Sequence, residues 1–200
     1  MRISGGSAKG RQVGSRKAFV CRGDSDELRP TAAKVRQAIF NIIAGKVDGC
    51  RFLDLYAGTG AVGIEAISRG AGHVAFVESN IARTKIIKQL LDKFGFTEKA
   101  SVMHTDADSF LNTISHGAFD VIFIDPPYAS SFLSGSLRII DKSRILKEGG
   151  IVIAEHSSKT ALPSFQNLVL QKKYRYGDTA LTLYNYCLND NILSRTEGKE

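Results

Sequence analysis

The sequence predicts an α/β fold built on a mostly parallel sheet with helices on both faces. Three observations lead there. From Arg51 onward, short apolar runs alternate with helical segments. Runs such as "FDVIFID" are almost continuously apolar, as strands buried on both faces must be. A glycine-rich turn, "DLYAGTGAVG", joins the first run to the first of these helices, and open α/β sheets bind ligands at such turns. Strands spaced by helices imply repeated strand–helix–strand units, and hence parallel neighbours.

The elements follow in order. Residues 1–30 are rich in Gly, Ser, Lys and Arg, with β-prone pieces at Gln12-Val13 and Ala18-Phe19-Val20. They read as a small N-terminal β-hairpin or basic arm. In "RPTAAKVRQAIFNIIAG", Thr31 is a suitable N-cap after Pro30, Val35, Ile39, Ile42 and Ile43 recur at helical spacing, and Gly45 suits the C-terminus. Strands are then expected at "RFLDLYAG", "HVAFVE", "ASVMHTD", "FDVIFID" and "GGIVIAEH". Helices are expected at "AVGIEAISRG", "NIARTKIIKQLLDKFG", "ADSFLNTIS" and "FLSGSLRIIDKSRIL". The segments "FQNLVLQKKYRYG" and "DTALTLYNYC" read as a closing antiparallel pair with a turn at Gly177-Asp178. This divides the chain into an arm over 1–30, a sheet domain over 31–188 and a frayed tail over 189–200.

Composition narrows the function classes. A 43% apolar and 24% charged composition is that of a soluble globular chain. No apolar run approaches the roughly 18 residues of a membrane span, and the basic, glycine-rich start lacks a signal-peptide core. A cytoplasmic protein without membrane contact is expected. Cys21, Cys50 and Cys187 are odd in number and far apart, which suits a reducing compartment. The four histidines have no ligand-like spacing, so no metal site is expected. The net charge of +7 favours polyanionic partners, above all nucleic acid. Residues 1–20 carry Arg2, Lys9, Arg11, Arg16 and Lys17 and no acid, either as a solvated tail or as an arm that grips phosphates.

Gly58, Gly60 and Gly63 spell G-x-G-x-x-G between a strand and a helix. Glycines there let backbone approach a ligand at a helix N-terminus. Glu78, at the end of the second strand, is placed to take a ribose diol. Together they indicate an adenosine-type ligand, either a dinucleotide or S-adenosyl-L-methionine. Asp54, four residues before Gly58, tilts the choice: a carboxylate repels a pyrophosphate and attracts an ammonium or sulfonium. Asp106, after the third strand, either accepts from an adenine amino group or N-caps the next helix.

"DVIFIDPPYAS" places Asp125, Pro126, Pro127 and Tyr128 at the tip of the fourth strand. Asp125 should face the same crevice as the glycine loop. The prolines make a stiff loop with free carbonyls. A carboxylate oxygen and a carbonyl oxygen match the two N–H donors of an exocyclic amine. Tyr128 offers a ring for stacking, worth about 1–3 kcal/mol. Holding both amine hydrogens can aim the nitrogen lone pair at a methyl donor, so that placement does most of the catalysis. The target base must be unpaired or flipped. No cysteine occupies a nucleophile's place, which favours N-methylation over methylation of base carbons.

At this point the chain resembles the RsmD family, bacterial 16S rRNA guanine-N2 methyltransferases with the class I S-adenosylmethionine-dependent, Rossmann-like fold. The resemblance rests on "MRISGGSAKGRQV", "RPTAAKVRQAIFNII", "DLYAGTGAVGIEAISRGA", "FVES", "FDVIFIDPPY" and "YRYGDTALTLY". Tyr56 and Val62 stand where Phe and Leu are commoner, and neither removes a polar function. The resemblance implies a seven-stranded sheet and guanine 966 of 16S rRNA, in a 30S subunit or its assembly intermediate, as the target. A monomer is expected. Asp54, Tyr56, Ala57, Gly58, Thr59, Gly60, Glu78, Asp106 and Ala107 would bind the cofactor. Asp125, Pro126 and Tyr128 would be catalytic, holding the guanine. Arg2, Lys9, Arg11, Arg16, Arg29, Thr31 and Pro127 would meet the RNA. Rival readings are an amino methyltransferase acting on DNA or another RNA, a nicotinamide-dependent oxidoreductase, and a non-catalytic RNA-binding module.

Overall fold

The computed structural model describes residues 2–13, 33–114, 116–127 and 130–187. The chain runs α1 (Ala33–Ile42), β1 (Arg51–Leu55), α2 (Ala61–Ser68), β2 (His73–Glu78), α3 (Ile81–Phe94), β3 (Ala100–His104), α4 (Ala107–Thr113), β4 (Phe119–Ile124), α5 (Ser130–Ser143), β5 (Leu146–Ser157), β6 (Leu168–Tyr176) and β7 (Thr179–Tyr186). One seven-stranded sheet has the order β3-β2-β1-β4-β5-β7-β6. β3 through β5 are parallel, and β7 enters antiparallel between β5 and β6. The order reverses between β1 and β4, which opens a crevice at their carboxyl ends.

Side chains alternate across the strands and divide the core in two. Phe52, Val74, Phe76, Val121, Phe123, Ile151 and Ile153 face α1, α2 and α3, against Ile39, Ile64, Ile67, Ile87 and Leu91. Leu53, Leu55, Val77, Ile122, Ile124, Val152 and Ala154 face α4 and α5, against Leu111, Leu133, Leu137 and Ile140. The parallel strands are therefore apolar on both faces, which is why they read as unbroken runs.

Boundaries differ from the sequence expectation in two places. α1 ends at Ile42, and Gly45 lies inside a following 3₁₀ turn, Ala44–Lys46, rather than at the helix C-terminus. β5 begins at Leu146, within the segment expected to close the preceding helix. Its register against β4 shifts between Phe119 and Val121, and beside this shift a side chain at Gly150 would meet the Lys147 carbonyl at 2.8 Å. The glycines thus belong to an irregularity within the strand and not to its start. Thr31, Arg16, Arg29, Cys21, Tyr128 and the piece Ala18-Phe19-Val20 lie outside the described residues, as does the tail from residue 188.

Residues 2–13 fold back through a bridge between Arg2 and Gln12, and they dock on the body of the domain. Ile3, Ala8 and Val13 are buried in the core shared with α1–α3. The amides of Ser7 and Ala8 donate to the Ser68 carbonyl (2.7 Å) and hydroxyl (2.9 Å), and that hydroxyl donates to the Gly5 carbonyl at 2.7 Å. A buried ion network clamps this junction. Glu65, 0% exposed, accepts from Arg36 Nε at 2.6 Å, from Arg69 and from the Ser4 hydroxyl. Arg36, 1% exposed, also donates to the Arg2 carbonyl at 2.7 Å. Burial pushes the Glu65 carboxyl up, but the bonds from Ser4, Arg36 and Arg69 outweigh it and hold the group below the usual range.

Candidate active site

The site is built at the carboxyl ends of the parallel strands. β1 delivers Asp54 and then turns through Tyr56, Gly58 and Gly60, which have φ of 66°, 54° and 70°. Glycine adopts this left-handed region at little cost, whereas Tyr56 carries a strain of about 1–2 kcal/mol there. Gly60 is the N-cap of α2. Gly63 plays a different part, since a Cβ there would lie 2.2 Å from the Phe76 ring. The third glycine therefore lets α2 settle on β2, and its amide donates to Asp54 Oδ2 at 2.8 Å.

Glu78 ends β2 and is 5% exposed. Its two oxygens accept from the amides of Gly58 and Asn80, each at 2.8 Å, so the acid ties the glycine loop to the next turn. Asp54, which accepts from the Gly63 amide, is 2% exposed. Burial pushes its carboxyl up to about 8, the Gly63 amide opposes this, and the charges of Asp125 and Glu78 add to it. A buried acid among acids calls for a cation. The donor set therefore fits the ammonium or sulfonium of S-adenosylmethionine and not a pyrophosphate.

Asp125 follows β4 directly. Strand alternation puts Asp54, Glu78 and Asp125 on the sheet face that carries α1, α2 and α3. Pro126 is partly buried and Pro127 exposed. Ala57 and Thr59 are buried in the glycine turn.

Other expected residues make contacts of their own. The Tyr56 ring packs toward the opposite face, where its hydroxyl pairs with Ser136 Oγ of α5 at 2.8 Å. Asp106 is exposed and N-caps α4, accepting from the Ser109 amide at 2.8 Å, which is the second of its two readings. Ala107 is buried behind it in the α4–α5 layer. Arg2, Lys9 and Arg11 are exposed, but they stand by the C-terminal ends of α2 and α3, with the Arg11 guanidinium 5.4 Å from the Phe94 ring. The length of α2, about 12 Å at 1.5 Å per residue, separates that region from the glycine loop.

Glu155 escaped the sequence reading. It lies near the end of β5, one position after the pair Ile124–Ala154, and so beside Asp125 on the adjacent strand. Its Oε2 is enclosed and has no hydrogen-bond partner among the described residues. Burial pushes the carboxyl up to about 9, with the Asp125 charge adding to the push. The signal in the sequence was an acid closing an otherwise apolar strand run, "IVIAE".

Sheet order, the antiparallel β7 and the glycine loop define the class I methyltransferase fold. The Escherichia coli protein yhhF superposes with a TM-score of 0.80 at 26% identity, over 94% of this chain and 98% of that one. An RNA methyltransferase from Salinibacter ruber, solved in complex with S-adenosyl-L-homocysteine, shares the fold at a TM-score of 0.62 and 13% identity, over 80% of this chain and 94% of that one. The family described as Conserved hypothetical protein 95 matches residues 1–185. Ribosomal RNA small subunit methyltransferase D of Escherichia coli (strain K12) is 30% identical over 187 residues, 92% of this chain and 89% of its own length. YlbH of Bacillus subtilis (strain 168) is 38% identical over 187 residues, 92% of this chain and 98% of its own. The chain belongs to the RsmD family of rRNA methyltransferases.

Proposed function

We propose that the protein methylates the exocyclic N2 of a guanine in 16S rRNA, with S-adenosylmethionine as donor. Guanine 966, or its equivalent in a 30S subunit or assembly intermediate, is the target that the family resemblance implies. The observation that carries this reading is the position of Asp125. It stands at the tip of β4, beside the point where strand order reverses, on the same sheet face as Asp54 and Glu78.

Bound S-adenosylmethionine supplies a methyl group on a sulfonium. Asp54 would hold the cationic part of the cofactor, the amides of the glycine turn would border it, and Glu78 would face the ribose. Asp125 and the Pro126 carbonyl accept the two hydrogens of the base amine and orient its lone pair. Pro126 and Pro127 keep that acceptor pair rigid, so little ordering is left for the reaction itself. Tyr128 stacks on the base. The amine loses one proton after its new N–C bond forms, so Asp125 serves as an orienting acceptor without having to be a strong base. Arg2, Lys9, Arg11, Arg16, Arg29 and Thr31 contribute RNA contacts, the first three well away from the crevice.

Labelled S-adenosylmethionine incubated with 30S particles from a strain lacking the enzyme tests this, with nucleosides resolved by mass spectrometry. Labelled N2-methylguanosine is the expected product. Label in DNA oligonucleotides and none in 30S would move the substrate to DNA.

A further inference from the structure

We propose that Glu155 selects guanine, its Oε2 accepting the N1–H of the target base while Asp125 holds the adjacent amine. The inference rests on the guanine-N2 reading above and adds a specificity-determining residue to it.

Three features single out Glu155. First, its place is fixed by register. Ile124 pairs with Ala154, so Asp125 and Glu155 stand side by side on strands about 4.8 Å apart. Second, its side chain points the right way. Ile151 and Ile153 face the α1–α3 side, and alternation puts Glu155 there too, with Asp54, Glu78 and Asp125. Third, it has an unmet acceptor. The buried carboxylates that hold the fold together are saturated. Glu65 binds Ser4, Arg36 and Arg69. Glu78 takes two amides. Asp141 takes the amides of Gln166, Asn167 and Leu168. Glu155 Oε2 is also enclosed, and it receives no hydrogen bond from the described residues. A buried acceptor without a donor is costly to a fold, and a ligand donor removes the cost.

The chemistry of the base supplies that donor. On guanine, the N1–H lies next to the N2 amine on the same edge. An adenine amine is flanked by N1 and a cytosine amine by N3, and both ring nitrogens carry lone pairs. With the carboxyl's proton carried on Oε1, those lone pairs would face the lone pairs of Oε2. Asp125 and the Pro126 carbonyl recognise any exocyclic amine. An acceptor one strand away, reading the neighbouring position, separates guanine from the other two bases.

The test compares 30S particles reconstituted with guanine or 2-aminopurine at the methylated position. 2-Aminopurine keeps the C2 amine and lacks the N1–H together with the C6 oxygen, so the loss shared with Glu155→Ala isolates the N1–H contact. Wild-type kcat/KM should fall about 10- to 100-fold on 2-aminopurine, the discrimination expected of one good base contact. Glu155→Ala should fall by a similar factor on guanine, yet lose less than about threefold more on 2-aminopurine, since the shared contact is already gone. Glu155→Gln keeps an acceptor oxygen and should recover most of the guanine activity. Cofactor affinity, measured by calorimetry, verifies that each variant is folded. Equal losses for Glu155→Ala on both bases would overturn the proposal, as would a wild-type enzyme indifferent to the replacement. Wild-type indifference to the replacement overturns the proposal even if Glu155→Ala does not fold. Failure of the wild type to label guanine N2 at all would instead refute the reading on which the proposal rests.

Discussion

Cofactor affinity should depend on pH through Asp54. Its carboxyl is pushed from 3.8 up to about 8 by burial, with Asp125 and Glu78 adding to the shift. The free protein therefore holds a proton on Asp54 that the unfolded chain has released between roughly pH 4 and pH 8. The stability this gives is complete below pH 4 and is lost as pH rises toward 8. A cationic ligand reverses the preference, because it needs the ionised form. With a pKa near 8, about 10% of the free protein is ionised at pH 7 and about 1% at pH 6. Binding must then expel a proton, and affinity should fall about tenfold for each pH unit below 7.5. Calorimetric titration with S-adenosylmethionine from pH 5.5 to 7.5 should show nearly a hundredfold change, with a proton released in buffers of different ionisation enthalpy. The upper limit keeps the amino group of the cofactor charged. Asp54→Asn preserves an acceptor for the Gly63 amide and removes the titration, so its weaker affinity should vary less than twofold over the same range. A wild-type affinity that is flat with pH would refute the assignment of Asp54 to the cationic part of the cofactor.

Other outcomes follow from the same geometry. Asp125→Ala should keep cofactor affinity within about threefold and lose about 100-fold in single-turnover rate, the usual effect of misplacing a reacting group; loss of cofactor binding would assign Asp125 elsewhere. Arg36→Met strands the buried Glu65 and should cost about 3–5 kcal/mol in denaturant unfolding, while Arg36→Met with Glu65→Leu should cost less than the single change. Because the Glu65 carboxyl is held low, its contribution is full above its unfolded value of 4.5 and is lost as pH falls through its lower folded value. Removing it should flatten the acid side of the stability profile. Gly63→Ala drives a methyl into the Phe76 ring and should cost about 1–3 kcal/mol. Phe76→Leu in the same chain should recover part of that loss, and no recovery would point to a direct ligand role for Gly63.

The sequence by itself determined the order of strands and helices, the glycine turn and the tip of β4. These are local properties: period 2 or 3.6 in the apolar pattern, the φ that glycine permits, and the stiffness of two consecutive prolines. It also placed acids at the ends of successive strands, because in a parallel sheet the chain direction alone fixes which end is shared. Tertiary structure decided what depends on distant partners. Arg36 meets Glu65 across 29 positions, and neither residue carries a local sign of it. Gly63 looked like part of the ligand loop, and only the packing of α2 on β2 showed that its missing side chain makes room for Phe76. Arg2, Lys9 and Arg11 looked like one basic arm, but burial of Ile3, Ala8 and Val13 anchors them at the far end of α2. Glu155 became visible as a site residue only when strand order set β5 beside β4, since a residue's neighbours across a sheet are chosen by topology and not by its place in the chain.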